Sequence, residues 1–250
     1  MSRKTAIVTG ASSGIGRACA IGLLRAGWQT VFVSRHAEAL AAAIRDAGEV
    51  NAEALALTCD ISSAEQVEEL FAKVMAAFGR IDLLFNNAGI SGPRGTVDEI
   101  SVTEWERTVA VNINGSFLCA RAAFAAMKQQ QPQGGRIINN GSIAAHTPRP
   151  HTSPYAVTKH AIMGLTKCLA LDGRPFNIAC GQIDIGNVRT EMTVPMAQGM
   201  LQANGAQMKE PVFELAHVVD AVLYMANLPP DANVQFMTVM ATKMPYIGRG

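Results

Sequence analysis

Short apolar runs alternate along the chain with longer segments in which apolar residues recur every three or four positions. The short runs are typical of strands buried on both faces, and the longer segments are typical of amphipathic helices. The pattern predicts strands at residues 6–9, 30–34, 54–58, 83–86, 136–140, 177–182 and 234–240. It predicts helices at residues 15–26, 38–47, 64–78, 103–130, 154–171 and 214–227.

The alternation of strand and helix predicts an α/β fold with a doubly wound, parallel seven-stranded sheet and helices on both faces, in a Rossmann-like arrangement. The 250 residues are 49% hydrophobic and contain no linker-like stretch, so we expect a single domain over residues 1–250. Residues 186–211 are too long for an ordinary connection and are predicted to form a substrate lid. Residues 228–250 are predicted to hold a C-terminal strand and tail.

The charge distribution narrows the kinds of partner. The formal net charge is +1 and the basic residues are scattered, which argues against nucleic acid and against an acidic membrane surface. A small-molecule substrate is the expected partner. The 5 cysteines lack metal-ligand spacing, so we predict buried free thiols in a reducing compartment and no metal site. Since we find neither a signal sequence nor an apolar run of membrane-spanning length, we expect a cytoplasmic protein.

A glycine-rich turn directly follows the first predicted strand and leads into a helix. Gly10, Gly14 and Gly16 let the backbone turn tightly and approach a pyrophosphate, whose charge is favoured by the helix N-terminus. This predicts a nicotinamide dinucleotide site. Ser34 and Arg35 stand at the tip of the second strand, where an NAD site carries a carboxylate, and a guanidinium there can pair with a 2′-phosphate. NADP is therefore predicted rather than NAD, unless Arg35 only faces solvent.

Tyr155 and Lys159 lie four residues apart on a predicted helix and therefore share one face. The ammonium can favour the ionised phenol, which makes the tyrosine a proton donor and acceptor for a carbonyl/alcohol pair. Ser142 follows a predicted strand end and is expected to hold the substrate oxygen beside the phenol. The intervening loop carries His146, Arg149 and His151, which either recognise a carboxylate or hydroxyl of the substrate or are solvated.

Taken in order, these motifs resemble the short-chain dehydrogenase/reductase family, in its single-domain Tyr-x-x-x-Lys branch, from about residue 5 to about residue 192. The resemblance implies a catalytic tetrad. Tyr155 would be the general acid in reduction, and Lys159 would also bond the nicotinamide ribose. Asn112 would kink its helix and hold a water in the proton relay. The matching residues are Thr9 to Gly16, Asp60, Ile61, Asn86 to Gly89, Asn112, Ser142, Tyr155 and Lys159.

The resemblance also implies a set of cofactor-binding residues and an oligomer. Helix 103–130 and the helix that carries Tyr155 are expected to pack against a second copy, giving a dimer or a homotetramer. The apolar residues expected there are Phe117, Ala120, Phe124, Ile162 and Leu165. The residues expected to bind the cofactor are Gly10, Ser12, Ser13, Gly14, Ile15, Gly16, Ser34, Arg35, Asp60, Ile61, Asn86, Ala88, Gly89, Tyr155, Lys159 and Ile183.

One segment departs from the family pattern. The sixth strand of the family ends in Pro-Gly, an apolar residue and then Thr, and this segment contacts the nicotinamide carboxamide. Here Cys180 is taken to replace the proline, Ile183 is expected to meet the carboxamide through its backbone, and Thr190 is displaced as if by an insertion. The predicted lid holds Met192, Met196, Met200 and Met208, which suit an apolar pocket wall, an oligomer interface or core packing.

The sequence thus predicts an NADPH-preferring oxidoreductase that transfers hydride to or from a small, mostly apolar carbonyl or alcohol, with Tyr155 as general acid/base. One alternative is a cofactor-binding regulator or scaffold with little catalysis. Another is epimerisation or dehydration through a transient ketone, although that chemistry generally needs a larger substrate domain than the roughly 60 residues after Thr190.

Overall fold

The central sheet contains seven parallel strands. The computed structural model describes residues 3–190 and 199–247. The strands are β1 (Thr5–Thr9), β2 (Gln29–Ser34), β3 (Ala54–Thr58), β4 (Leu83–Asn86), β5 (Gly135–Asn140), β6 (Ile178–Ile185) and β9 (Phe236–Val239). Their order is β3-β2-β1-β4-β5-β6-β9. Because this order reverses between β1 and β4, a crevice opens outside the carboxyl ends of those strands.

Helices cover both faces of the sheet, as the alternating sequence pattern predicts. The helices are α1 (Gly14–Arg25), α2 (Ala37–Arg45), α3 (Ala64–Phe78), α4 (Val102–Gln129), α5 (Ser153–Gly173) and α6 (Leu215–Asn227). Two short strands, β7 (Met200–Leu201) and β8 (Gln207–Met208), form an antiparallel pair apart from the central sheet. This pair falls within the predicted lid, of which Met192 and Met196 lie outside the described residues.

Each face of the sheet has its own hydrophobic core, because successive strand residues point to opposite sides. On one face Phe32 packs with Leu23 of α1 and Val222 of α6. On the other face Ile7 packs with residues of α3 and α4, including Met127. These side chains are fully buried, and each contributes about 1.5–3 kcal/mol through the transfer of apolar surface out of water. The two cores hold the strand ends in fixed positions around the crevice.

Helix α4 is interrupted by a π-helical turn at Ala110–Gly115. Ser101 caps the start of the helix, since its hydroxyl accepts from Glu104 N at 3.3 Å and donates to Glu104 Oε2 at 2.8 Å. Its 28 residues are long and apolar enough to cross a membrane, with a mean hydropathy of 1.3 over the most apolar window. This is weak evidence, because a helix packed against a core passes the same test.

Strand β6 is longer than its predicted counterpart at residues 177–182. It pairs with β5 as far as Ile183 and with β9 as far as Ile185. The apolar run ends at Gln182, but the buried Asp184 continues the strand because hydrogen bonds satisfy its side chain. The turn that follows the strand therefore begins at Gly186, several residues later than the sequence suggests.

Candidate active site

The glycine-rich turn has the conformation that its residues predict. Gly10 and Gly14 have φ values of +69° and +51°, in the left-handed region that favours glycine. A Cβ at Gly16 would lie 2.3 Å from the Gly10 carbonyl oxygen, so only glycine fits there. The Ser13 side chain makes no capping bond to α1. The N–H groups of the first turn of α1 are therefore available to an anion such as a pyrophosphate.

A cavity of about 760 Å³ runs over the carboxyl ends of the strands. Its volume is within the range of about 300–1,000 Å³ that is usual for ligand sites. The glycine turn and the reactive side chains line this same cavity, so the residues fit a nicotinamide dinucleotide. The predicted site residues that line it are Gly10, Ser12, Ser13, Gly14, Ile15, Gly16, Ser34, Arg35, Asp60, Ile61, Ala88, Gly89, Ser142, Tyr155 and Lys159.

At one end of the cavity, Arg35 faces Asp60 across 4.0 Å between Nη1 and Oδ2. Asp60 Oδ1 accepts hydrogen bonds from the hydroxyl and the backbone N–H of Ser62, at 2.7 and 3.0 Å. The Ser62 hydroxyl, with smaller contributions from its N–H and from Arg35, lowers the pKa of Asp60 below its ordinary value. The Arg35 side chain is 46% exposed, so its guanidinium can reach an anion at the cavity edge.

Lys159 and Tyr155 meet at the other end of the cavity. Lys159 is 6% exposed and donates from Nζ to the Asn140 carbonyl oxygen at 2.6 Å. The same Nζ lies 5.6 Å from the centroid of the Tyr155 ring. Ser142 follows β5, and its Oγ accepts from Ala144 N at 3.1 Å. The ammonium is thus fixed beside the Tyr155 ring, and Ser142 lines the same cavity.

Asn112 lies behind the cavity wall and is not among the described residues that line it. Its Oδ1 accepts from Ile90 N at 2.8 Å, and its Nδ2 donates to Ile90 O at 2.9 Å and to Thr158 Oγ1 at 3.0 Å. The helix irregularity expected at this position is present as the π turn. The side chain joins the loop after β4 to helix α5, and its predicted role in holding a water stays a prediction.

Two of the residues expected to bind the cofactor have side chains that are buried and do not line the cavity. Asn86 is 3% exposed and does not line the cavity, because its Nδ2 turns inward to Ser116 O at 2.7 Å and to Asn139 Oδ1 at 3.2 Å. Ile183 is 0% exposed and packs within the core of the first sheet face. The Asn86 amide links β4 to β5 and to helix α4, and the expected contact of the Ile183 backbone with the carboxamide stays a prediction.

The turn after β6 also differs from the expectation. Gly186, Val188 and Thr190 line the cavity, and the Thr190 methyl carbon lies 3.7 Å from the position of a Cβ on Gly14. Thr190 therefore lies beside the glycine-rich turn. Cys180 lies in mid-strand, where burial raises the pKa of its thiol to about 12. A thiol of this kind is an inert packing group.

The substrate end of the cavity contains residues that the sequence analysis did not identify. Arg94 lies on the loop after β4, with Nη1 3.4 Å from Met200 Sδ. Ligands of parallel α/β sheets bind outside the carboxyl ends of the strands. The loop that carries Arg94 follows β4 and the Asn86 to Gly89 motif at such an end, so its place in the sequence indicates that it borders the cavity. The additional lining residues at this end are Ile90, Ser91, Arg94, Ile143 and Thr152, and Met200 of the predicted lid lines the cavity with them.

Arg149 also lines the cavity but is not a solvated charge. Its side chain is 10% exposed and is ion-paired with Glu210, which is 0% exposed. Asn187 Nδ2 and Gln202 Nε2 donate to the Glu210 carboxylate at 2.7 and 3.0 Å. Burial alone would raise the pKa of Glu210, but hydrogen bonds from Arg149, Gln202 and Asn187 outweigh it and lower the pKa to about 2. The positive charge of Arg149 is thus balanced by the buried Glu210 carboxylate.

Comparison with known proteins agrees with this geometry. A family model described as short chain dehydrogenase matches residues 4–200. The chain is 37% identical to a 3beta-hydroxysteroid dehydrogenase of Mediterraneibacter gnavus over 76% of this chain and 68% of that protein. It is 32% identical to a trans-4-hydroxycyclohexanecarboxylate dehydrogenase of Sinomonas cyclohexanicum over 91% and 87% of the two chains. A crystal structure of a variant actinorhodin polyketide ketoreductase with NADPH has a TM-score of 0.85 at 27% identity, covering 96% of this chain and 98% of that one.

Proposed function

Because the chain belongs to the short-chain dehydrogenase family, an oxidoreductase family, we propose that it interconverts ketones and secondary alcohols on small, mostly apolar rings, with a preference for NADPH. One observation carries the proposal. Tyr155, Lys159 and Ser142 line the same cavity as the glycine-rich turn, and Lys159 is fixed by Asn140. This convergence brings a proton donor and a dinucleotide turn to one crevice.

Three side chains divide the work on the substrate oxygen. A bound nicotinamide cofactor supplies or accepts the hydride. Ser142 Oγ accepts from Ala144 N–H, which leaves its own hydrogen to be donated to the substrate oxygen. The Tyr155 phenol protonates that oxygen in reduction and takes the proton back in oxidation. The Lys159 ammonium offsets the negative charge that develops on the phenol oxygen.

The preference for NADPH rests on Arg35. Its guanidinium is 46% exposed at the cavity edge and lies 4.0 Å from the nearest Asp60 oxygen, so this ion pair is loose. The planar guanidinium can donate two parallel hydrogen bonds to two oxygens of a 2′-phosphate. The Asp60 carboxylate is held by Ser62 and does not occupy the Arg35 donors.

The substrate class rests on the lining and on the relatives. Ile90, Ile143, Val188 and Met200 give the substrate end a mostly apolar wall. The two similar dehydrogenases have names that describe hydroxyl groups on rings, a hydroxysteroid and a hydroxycyclohexanecarboxylate. Such a molecule fits a site in which Ser142 binds the substrate hydroxyl and an apolar wall contacts the ring. Only the hydroxyl needs hydrogen-bond partners, and the ring is buried against apolar side chains.

The test is a panel of cyclic ketones and alcohols with NADPH and NADH, followed by absorbance of the reduced nicotinamide. We expect reduction of ring ketones, and loss of about 10²–10⁴-fold in kcat for Tyr155→Phe with NADPH binding retained. The matched control is Tyr224→Phe, an exposed tyrosine on α6. If NADPH binds but no member of a broad panel turns over, the regulator or scaffold alternative is favoured instead.

We also propose an oligomer formed through α4 and α5. Phe117 is 50% exposed on α4 and Val157 is 46% exposed on α5, which leaves an apolar surface. Two of the residues expected at this interface, Ala120 and Ile162, are 1% and 3% exposed and belong to the interior of the subunit. The proposed contact therefore centres on Phe117 rather than on the whole expected set.

A further inference from the structure

A buried carboxylate lies directly behind Ser142. Asp184 is 1% exposed in β6, and its Oδ1 accepts from Ser142 N at 3.0 Å and from Gln182 Nε2 at 2.7 Å. Its Oδ2 faces His146 Nε2 at 2.9 Å. Because a carboxylate only accepts, Nε2 of this imidazole must carry a hydrogen. Three donors from two neighbouring segments thus converge on one side chain that the proposed chemistry does not use.

The space around Asp184 allows little freedom. A Cβ on Gly141 would lie 2.0 Å from Asp184 Oδ1 and 2.5 Å from Gln182 Nε2, so the carboxylate fills the place of a side chain at position 141. Gln182 Oε1 lies 3.0 Å from Thr166 Oγ1, which turns the Gln182 amide nitrogen towards Asp184. The hydrogen bond from Gln182 therefore fixes the Asp184 carboxylate next to the peptide bond between Gly141 and Ser142.

We propose that Asp184 is a positioning residue for Ser142 and that His146 is its outer partner. The inference rests on the proposed oxidoreductase activity, in which Ser142 orients the substrate oxygen. Asp184 is not among the described residues that line the cavity, so it acts through the serine rather than on the substrate. It anchors the backbone N–H of Ser142, while Ala144 N–H holds Ser142 Oγ at 3.1 Å. Together these two bonds fix the hydroxyl.

The arrangement differs from the serine, histidine and aspartate triad of hydrolases. In such a triad the imidazole bonds the serine hydroxyl and removes its proton. Here His146 and Ser142 both bond Asp184, and the serine does so through its backbone N–H. Within the described residues, the hydrogen bond of Ser142 Oγ is the one from Ala144 N. The cluster therefore orients the serine and does not make it a nucleophile.

His146 covers the outer oxygen of the carboxylate. Its side chain is 35% exposed, whereas that of Asp184 is 1% exposed, so the imidazole stands between the carboxylate and solvent. The loop Ile143–Ala145 forms a short 3-10 turn between Ser142 and His146. Two bonds to one carboxylate, one from each side of this turn, fix its position relative to β6. Loss of the imidazole would leave the Ser142 bond but loosen the turn.

A double-mutant cycle tests whether Asp184 acts through Ser142. We compare kcat and KM of Asp184→Ala, Ser142→Ala and the double variant, with kcat calculated per NADPH-binding site. Misplacement of a reacting group by about 1 Å can cost about 10²-fold, so Asp184→Ala should lower kcat by about that factor. In the Ser142→Ala background its further effect should be less than about threefold, because coupled residues are not additive. Equal losses in both backgrounds would overturn the proposal.

The conservative variant separates positioning from simple packing. Asp184→Asn keeps a carbonyl oxygen for the Ser142 N–H and should restore kcat to within about tenfold of wild type, with KM unchanged. At the outer position, His146→Gln keeps an N–H donor and should retain more activity than His146→Ala. The matched control is His160→Gln, on the exposed side of α5. Failure of both conservative variants to recover any activity would count against the inference.

A readout without substrate keeps this inference separate from the proposed function. Hydrogen exchange at the Ser142 amide should be faster in Asp184→Ala than in wild type, and slow again in Asp184→Asn. If wild-type protein reduces no ring ketone, the proposed function fails while this exchange still tests the bond. If Asp184→Ala does not fold, Asp184→Leu removes the acceptor of the Ser142 N–H while filling the same space, and gives the same comparison with Asp184→Asn. Unchanged exchange at Ser142 in folded Asp184→Ala would overturn the positioning role.

Discussion

Arg149 and Glu210 form a buried ion pair that joins the loop after Ser142 to the segment after the β7–β8 pair. Arg149 Nε donates to Glu210 Oε1 at 3.1 Å, and Nη2 donates to Asn187 Oδ1 at 3.0 Å. Gln202 and Asn187 complete the carboxylate's hydrogen bonds. The pair therefore ties three separate parts of the chain together at the substrate end of the cavity, without leaving an uncompensated charge there.

Removing the arginine should destabilise the protein. Arg149→Met leaves the Glu210 charge buried without its cation, and the expected loss is about 3–5 kcal/mol in the free energy of unfolding. Lys73→Met removes the cation of an exposed i,i+4 pair with Glu69, and should cost about 0.5 kcal/mol or less. Urea unfolding at a fixed protein concentration measures both. Similar losses in the two variants would contradict the assignment of a buried pair.

The same carboxylate predicts an acid dependence of stability. The pKa of Glu210 is lowered to about 2, so the unfolded chain binds more protons than the folded one between about pH 4.5 and pH 2. The stabilisation, about 3 kcal/mol, is complete above this window and is lost as pH falls through it. Glu210→Gln should flatten that part of the curve of unfolding free energy against pH. A curve that keeps the wild-type slope would show that other groups cause it.

Arg35 should determine the choice between NADPH and NADH. Arg35→Ala removes the proposed 2′-phosphate partner and should raise KM for NADPH by about 10–100-fold, since a charge-assisted hydrogen bond contributes about 1.5–3 kcal/mol. KM for NADH should change by less than about threefold. Arg25→Ala, at the end of α1, is the control. An equal rise in KM for both cofactors would mean that Arg35 does not bind the 2′-phosphate.

The oligomer proposal has a simple test at Phe117. Phe117→Glu puts a charge into the proposed apolar contact, and the expected result is a shift from an oligomer to the mass of one chain in light scattering. Ala76→Glu, at an exposed position on α3, adds the same charge away from the contact and should leave the mass unchanged. A wild-type protein that is a monomer at micromolar concentration would remove the proposal.

The sequence is sufficient to predict the order of the seven strands of the central sheet and of the helices between them, because buried strands and amphipathic helices differ in hydrophobic period. It does not show which side chains reach the cavity. Asn86 matches the family motif, yet its amide turns to Ser116, thirty residues away in the chain. Ile183 follows the predicted end of its strand, yet its side chain is buried in the core and β6 continues to Ile185. A polar residue such as Asp184 suggests the end of a buried strand. The structure shows that Ser142 and His146 hydrogen-bond its side chain, which allows it to lie within β6.

The π turn in α4 has a consequence for insertions and deletions. Each residue of a regular helix rotates the chain by about 100°, so the wider turn at Ala110–Gly115 offsets one half of α4 against the other. Deleting one residue here would restore a regular helix but swing Asn112 away from Ile90 and Thr158. The helix is therefore expected to tolerate neither insertion nor deletion of one residue at this turn, whereas many of its exposed side chains can be replaced.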